Sequence, residues 1–389
     1  MKSENKLTSA LVVALVLAML AAYGVLRSGG ATVRGNELNV DRAIFAVVNA
    51  TTLTGFQLSV NVNDYKLPGQ ITIFVLIAVG SLISLIVGGS MLNRILTMRF
   101  TDRQIAGFSI STWIILILVA ASALMRPGTN APAAIFQAAS AFGNAGHVIG
   151  ALPGWMDWRM HLVLLPLGLI GGMGILVVMD LAMAIAQRRR LHPYTVAVLA
   201  MTAAVYLIGL FFIAGIEWLD GKDFQQAAVI GSSVVMNSRT LGFPLDTFGM
   251  LARPSQWIVL ILMAIGGSGA GTAGGIKVTT VFGIGRGVVR AILGESIDRI
   301  FGVICVWFGI YCLMVLATTM LLSACEPQAA GDRLLFWAVS AISNVGLSHE
   351  PITFTGMTLY VLSAAMVLGR VVPLGILWWT AERGIRAEI

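Results

Sequence analysis

The chain has 389 residues, 57% of them hydrophobic and 11% charged, with a mean hydropathy of +0.88. That is about half the charge of a soluble domain, which excludes an ordinary water-soluble enzyme or binding module. The net charge of +7 does not point to nucleic acid, because the basic residues cluster beside apolar runs, where they act as topology anchors.

Taken in chain order, the first apolar run is 10–26, close to the ~20 residues a helix needs to cross a bilayer. Lys2, Lys6 and the pair Ala21-Ala22 give it the look of a secretion signal, but it is long enough to span and the repeat below needs it as a first helix. Runs at 71–92, 105–125, 162–186, 196–218 and 302–322 follow. Their length and continuity predict helices in lipid rather than the short alternating strands of a barrel. Lys2, Lys6, Arg94, Arg99, Arg103, Arg188–Arg190, Arg286, Arg290, Arg299, Arg383 and Arg386 all share one side if the other connections are re-entrant. By the positive-inside rule that side, with both termini, is cytoplasmic. The opposite segments hold most acids, including Glu37, Asp41, Asp64, Glu217, Asp220, Asp223, Asp332 and Glu350. Cys305, Cys312 and Cys325 have neither metal nor redox spacing, and no transition-metal site is expected.

A weak fourfold similarity runs through the chain. Thr52-Leu-Thr-Gly55-Phe56, Gly143-Asn-Ala-Gly146-His147, Arg239-Thr-Leu-Gly242-Phe243 and Ser343-Asn-Val-Gly346-Leu347 look alike, and their glycines are 91, 96 and 104 residues apart. Ten residues before the glycine sits Phe45, Phe136 or Phe336, with Ser232 in the third case; fourteen before it sits Asp41, Pro132 or Asp332, with Ala228 in the third. Asp and Pro suit a helix start. Each repeat therefore reads as span, short helix, glycine-bearing loop, span, over 1–98, 99–191, 192–292 and 293–389.

Short helices of ~10 residues cannot cross a bilayer, and a non-helical loop at that depth must line water or be buried in protein. A pore helix ending near the membrane centre aims its negative dipole end at the axis, and the residues after it can present carbonyls to a dehydrated cation. Glycine accepts the strained backbone and leaves the axis open. The expected filter ligands are the carbonyls of Thr54–Gly55, Ala145–Gly146, Leu241–Gly242 and Val345–Gly346, with Asn144 and Asn344 supporting them and Asp64, Asp246 and Glu350 concentrating cations outside. Six of the twelve residues 266–277 are glycine. Gly269-Ala-Gly271-Thr-Ala-Gly274 matches a dinucleotide pattern without its strand–helix context, so a broken helix lining the cavity below the filter is expected instead. Arg239, Lys277 and Arg370 lie in or beside apolar spans, where a charge must be paired or wetted.

Over essentially its full length the chain resembles the Trk/Ktr/HKT superfamily of potassium transporters. The resemblance rests on Thr51-Thr-Leu-Thr-Gly-Phe56, Ser140-Ala-Phe-Gly-Asn-Ala-Gly146, Asn237-Ser-Arg-Thr-Leu-Gly-Phe243, Ser340-Ala-Ile-Ser-Asn-Val-Gly-Leu-Ser348, the glycine-rich stretch 266–277 and Gly369-Arg370-Val-Val-Pro373. It implies potassium (K+) as the transported ion, no organic cofactor in this chain, and an intramembrane gating loop containing Gly269, Gly271, Gly274, Gly275 and Lys277. It further implies that Arg370 faces the pore as an electrostatic barrier and touches that loop. Arg239 is expected to brace the third filter loop, Lys277 to close the gate loop or reach cytoplasmic water, and Asp180 to act as a counter-charge. A homodimer on a cytosolic nucleotide-binding regulatory ring, in a lipid membrane, is the implied assembly. His147 stands where the family usually has phenylalanine, which suggests proton-sensitive conductance.

The expected fold is all-α, with eight transmembrane helices and four re-entrant pore helices around a pseudo-fourfold axis. A sodium-permeable or sodium-coupled transporter of the same fold is the alternative within the superfamily. An organic-solute transporter would show two inverted halves with paired breaks, against four repeats and one major break here. An integral membrane enzyme would need a nucleophile–base pair, metal cluster or acidic dyad, and no such set stands at useful spacing.

Overall fold

The computed structural model describes residues 2–31, 38–60, 62–126, 129–244, 249, 251–296 and 299–383. Within them the protein is all-helical, and its only strand-like features are the isolated bridges Leu58–Ile352 and Ile265–Ile276. Asp246, Glu37 and Arg386 lie outside the described residues.

One order of elements recurs along the chain. The long helix α1 (Lys2–Arg27), the short helix α2 (Val40–Thr51) and the long helix α3 (Leu67–Leu96) come first. Then come α4 (Asp102–Leu124), short α5 (Ala131–Gly143), and α6 (Leu165–Met173) with α7 (Ile175–Gln187). Next are α8 (Pro193–Leu219), short α9 (Phe224–Met236), and α10 (Arg253–Ala264) with α11 (Val278–Ile292). Long α12 (Arg299–Cys325), short α13 (Gly331–Ile342) and long α14 (Met357–Glu382) complete the chain. Helices α3, α4, α8, α12 and α14 are each long and apolar enough to cross a bilayer. The protein is therefore an all-helical membrane protein with several apolar spans.

Local chemistry sets the starts of the short helices. Asn130 caps α5 by accepting from Ala133 N at 2.9 Å, with proline in the first turn, and Asp223 caps α9 by accepting from Gln225 N at 3.0 Å. Asp41 stands in the first turn of α2, as expected of a helix start, and also accepts from Gly356 N at 2.6 Å, which ties the first unit to the last. The short helices α2, α5 and α13 are mostly buried: Phe45, Phe136 and Phe336 are all 3% exposed or less, which accounts for their common register.

The apolar run 162–186 departs from expectation. It is not one continuous helix but α6 and α7, bent by 99° at Gly174, whose φ of +84° no right-handed helix accommodates. The protein thus has a second break besides 265–277, and the expectation of a single major one is corrected.

Candidate functional site

The four glycine loops meet in a closed ring. Gly55, Gly146, Gly242 and Gly346 have φ of +95°, +66°, +66° and +79°, which a side chain would strain. A β-carbon on Gly55 would stand 2.5 Å from Ala145 O, and one on Gly146 would stand 2.7 Å from Gly242 O. One on Gly242 would collide with Val345 O, and one on Gly346 with Thr54 O. Each loop abuts the next in chain order and the fourth returns to the first. The ring brings together the predicted carbonyls of Thr54, Ala145, Gly242 and Val345. Leu241 precedes Gly242 in a π-turn, and its buried side chain packs at Gly168 of α6.

Side chains behind the ring hold the loops open. Asn49 Oδ1 accepts from Gly55 N at 2.8 Å and Phe56 N at 3.0 Å, while its Nδ2 donates to Phe56 O at 2.8 Å. Asn237 repeats the clamp on Phe243 N and O at 2.9 and 2.8 Å, and Ser340 Oγ donates to Leu347 O at 2.8 Å. Sequence reasoning missed these clamps, although each closes the stretch between the end of a short helix and the residue after the glycine. Asn144 and Asn344 adopt left-handed φ of +54° and +49°, which asparagine tolerates. Asn344 Nδ2 donates to Thr54 Oγ1 at 3.1 Å and Met366 O at 2.9 Å, and so reaches across to the first loop.

Glycines in the following helices were also missed. A β-carbon on Gly80, Gly171 or Gly369 would strike the carbonyl of Thr51, Phe142 or Ile342, each four residues before a ring glycine. Gly80 and Gly171 stand 25 residues after Gly55 and Gly146, a spacing visible in the sequence.

Both breaks lie against this ring. Asn144 Nδ2 donates to Gly168 O at 2.9 Å and Thr272 Oγ1 at 2.7 Å, and Thr272 Oγ1 donates on to Phe142 O at 3.0 Å. Gly274 is packed against Ser343 O, at the end of α13. The break is stitched to α6: Ser268 N donates to Gly172 O at 2.9 Å, Thr272 N to Gly171 O at 3.0 Å, and Ile175 N to Ala270 O at 3.4 Å. Gly269 touches Leu92 and Tyr194, Gly271 meets Gly172 O, and Gly275 takes φ +66° to turn the chain back beside Ala264.

The three basic residues at the break, buried Arg239 and half-buried Lys277 and Arg370, all donate to carbonyls. Arg370 Nη2 donates to Thr272 O at 2.7 Å, and Lys277 Nζ to Ala273 O at 2.5 Å and Gly274 O at 3.2 Å, so Lys277 closes the loop on itself. Arg239 does not bond the third filter loop's carbonyls: it donates to Gly266 O at 2.9 Å and Thr202 O at 3.5 Å and so ties the third loop to the break. Asp180 accepts from Arg189 at 2.7 Å and His192 N at 2.8 Å. His147 is 4% exposed and lines a small cavity with Asn49, Gln57 and Tyr65. Outside the ring, Asp64 is exposed and Glu350 pairs with Arg333 at 3.5 Å. A cavity of about 200 Å3 adjoins the break, lined by Leu92, Tyr194, Gly269, Lys277, Arg286 and Phe301 among others.

No family model matches the chain. It is 24% identical to the Ktr system potassium uptake protein B of Vibrio alginolyticus, over 89% of this chain and 85% of that protein. It is 25% identical to the protein of the same name from Bacillus subtilis (strain 168), over 85% of this chain and 84% of that one. Its fold matches the crystal structure of the potassium transporter TrkH from Vibrio parahaemolyticus with a TM-score of 0.70, at 19% identity, over 97% of this chain and 84% of that one. The chain is thus similar over most of its length to Ktr potassium uptake proteins and shares the fold of TrkH.

Proposed function

We propose that this chain is the pore-forming subunit of a potassium uptake system, passing K+ down its electrochemical gradient through the glycine ring. The observation that carries the reading is the closed succession of loops in which each ring glycine abuts a backbone carbonyl of its neighbour. Carbonyls so placed can replace the water of a cation, and glycine at every corner leaves the axis free of side chains. The relatives named as potassium uptake proteins support K+ as the ion. In this reading each of 1–98, 99–191, 192–292 and 293–389 is one repeat about a pseudo-fourfold axis. The count of eight spans then takes α1, α6–α7 and α10–α11 as one span each, and α2, α5, α9 and α13 are the re-entrant pore helices.

The break at 265–277 is the gate, with Gly269, Gly271, Gly274 and Gly275 giving it its turns and Lys277 and Arg370 holding its carbonyls. Two breaks leave the organic-solute transporter open on break count alone; the ring is what favours a cation. The basic connections would lie on one side in this topology, which supports cytoplasmic termini by the positive-inside rule. Those connections would dock a cytosolic nucleotide-binding ring beneath a homodimer of this chain, as suits relatives named as the B component of a Ktr system.

Reconstituting the purified chain in liposomes and imposing a voltage tests the function. Rubidium, a potassium surrogate, should pass faster than sodium or lithium and be competed by potassium but not by organic solutes. Absence of cation flux would reject the pore, and equal sodium and rubidium flux would favour the sodium-permeable alternative.

A further inference from the structure

One side chain that the pore reading does not use touches the ring itself. Gln57, two residues beyond Gly55, is half-buried, and its Nε2 donates to Gly55 O at 2.9 Å and to Gly146 O at 3.1 Å. Both of its amide hydrogens are thus engaged by ring-glycine carbonyls of two adjacent loops. The matching positions of the other loops hold no donor to the ring carbonyls among the described residues. Val148 and Pro244 stand at the matching positions of the second and third, and Ser348 of the fourth donates to Glu350 O at 2.7 Å. The ring is therefore chemically unequal at one corner. Gln57 also lines a small cavity with Asn49, Tyr65 and His147, and His147 Nε2 has no hydrogen-bond partner among the described residues. An amide leaving the carbonyls has a polar group to turn towards.

We propose that Gln57 is a competing donor at the mouth of the ion path: its amide holds the Gly55 and Gly146 carbonyls, and an entering cation must displace it. The inference rests on the pore reading above. An amide N–H and a dehydrated cation seek the same carbonyl lone pairs, and each carbonyl taken by nitrogen is a weaker ligand for the ion. The cost of displacement is the same for every monovalent cation. Gln57 therefore sets the apparent affinity of the mouth and leaves the preference between ions unchanged. A mere brace between the first two loops would behave differently, since its loss would change the ring's shape and with it the ion preference.

The test compares wild type with Gln57→Ala and with Gln57→Met, which keeps length and volume and removes the donor. Two readouts are taken on the full chain: the concentration dependence of rubidium uptake into proteoliposomes at a set voltage, and the potassium concentration that half-protects detergent-solubilised protein from thermal unfolding. Two neutral hydrogen bonds of ordinary net strength predict that both half-saturating concentrations fall by roughly fivefold or more. The rubidium-to-sodium uptake ratio should stay at the wild-type value. Unchanged or raised half-saturation in Gln57→Met, or an altered ratio, overturns the competing-donor role. Failure of the underlying pore reading looks different: wild type itself would pass no rubidium and gain no thermal protection from potassium, and the Gln57 proposal would fall with it.

Discussion

Arg370→Ala is the sharpest test of the gate. The side chain leaves α14 three residues before Pro373 and donates to Thr272 O at 2.7 Å, in the middle of the glycine-rich break. A hydrogen bond from a charged donor is worth about 1.5–3 kcal/mol net. If it is made only while the break occupies the path, its loss shifts the closed-to-open ratio by roughly 10- to 150-fold. Rubidium uptake into vesicles at matched protein density should rise by that factor until the open state saturates. Arg370→Lys keeps the positive charge but offers a compact ammonium in place of the planar fork, and should give an intermediate rate. Unchanged or reduced uptake by Arg370→Ala, in vesicles where the protein is present at wild-type density, would refute both the barrier and the latch.

Gly171→Ala pushes a methyl group into Phe142 O at the end of a pore helix, and should lower stability by about 1–3 kcal/mol, read as a lower midpoint in thermal unfolding. Gly107→Ala, on α4 with open space around it, should show no such drop. Gly174→Ala puts a β-carbon 2.7 Å from Gly269 O at a φ of +84°, and should loosen the junction of the two breaks, raising basal rubidium leak. His349 lies in the loop after α13, where burial first and Arg333 second hold its pKa below the ordinary 6.5. Its neutral form is favoured by folding, so its contribution to stability is full above pH 6.5 and is lost as pH falls through the depressed folded value. Thermal midpoints between pH 7.5 and 5 should therefore fall less in His349→Gln than in wild type.

How much of this could be read from the chain depends on where each constraint lives. The ring glycines are visible because a positive φ at a close approach admits no other residue, and the need recurs at a quarter of the chain length. The break at 265–277 is visible because half of 266–277 is glycine. The bend at Gly174 is not, although Gly168, Gly171 and Gly172 precede it, because the run remains apolar and the bend depends on carbonyls of 171–172 being taken by Ser268 and Thr272. Gln57 was equally silent: one of its two partners, Gly146 O, lies 89 residues away. The place of Asp41 at a helix start is legible in its own sequence neighbourhood, whereas its partner Gly356 is 315 residues distant. Local backbone demands leave marks in composition, whereas long-range hydrogen bonds leave none.

The break's own polar groups carry the argument furthest. Thirteen non-helical residues, 265–277, inside a membrane protein must find partners for their amides and carbonyls. The amides of Ser268 and Thr272 go to the carbonyls that the bend in α6 releases, Gly172 O and Gly171 O. Of the break's carbonyls, Gly266 O goes to Arg239, Thr272 O to Arg370, and Ala273 O and Gly274 O to Lys277. Cationic side chains thus hold these carbonyls, and if the break is the gate as proposed, it would obstruct a cation by charge as well as by bulk. Arg370 and Lys277 hold neighbouring carbonyls of one short loop, which makes their effects interdependent. Arg370→Ala and Lys277→Met should each raise rubidium leak, and the double variant should leak much less than the product of the two single increases. Strictly multiplicative increases would mean that the two side chains act on separate parts of the path, and the break would then not move as one latch.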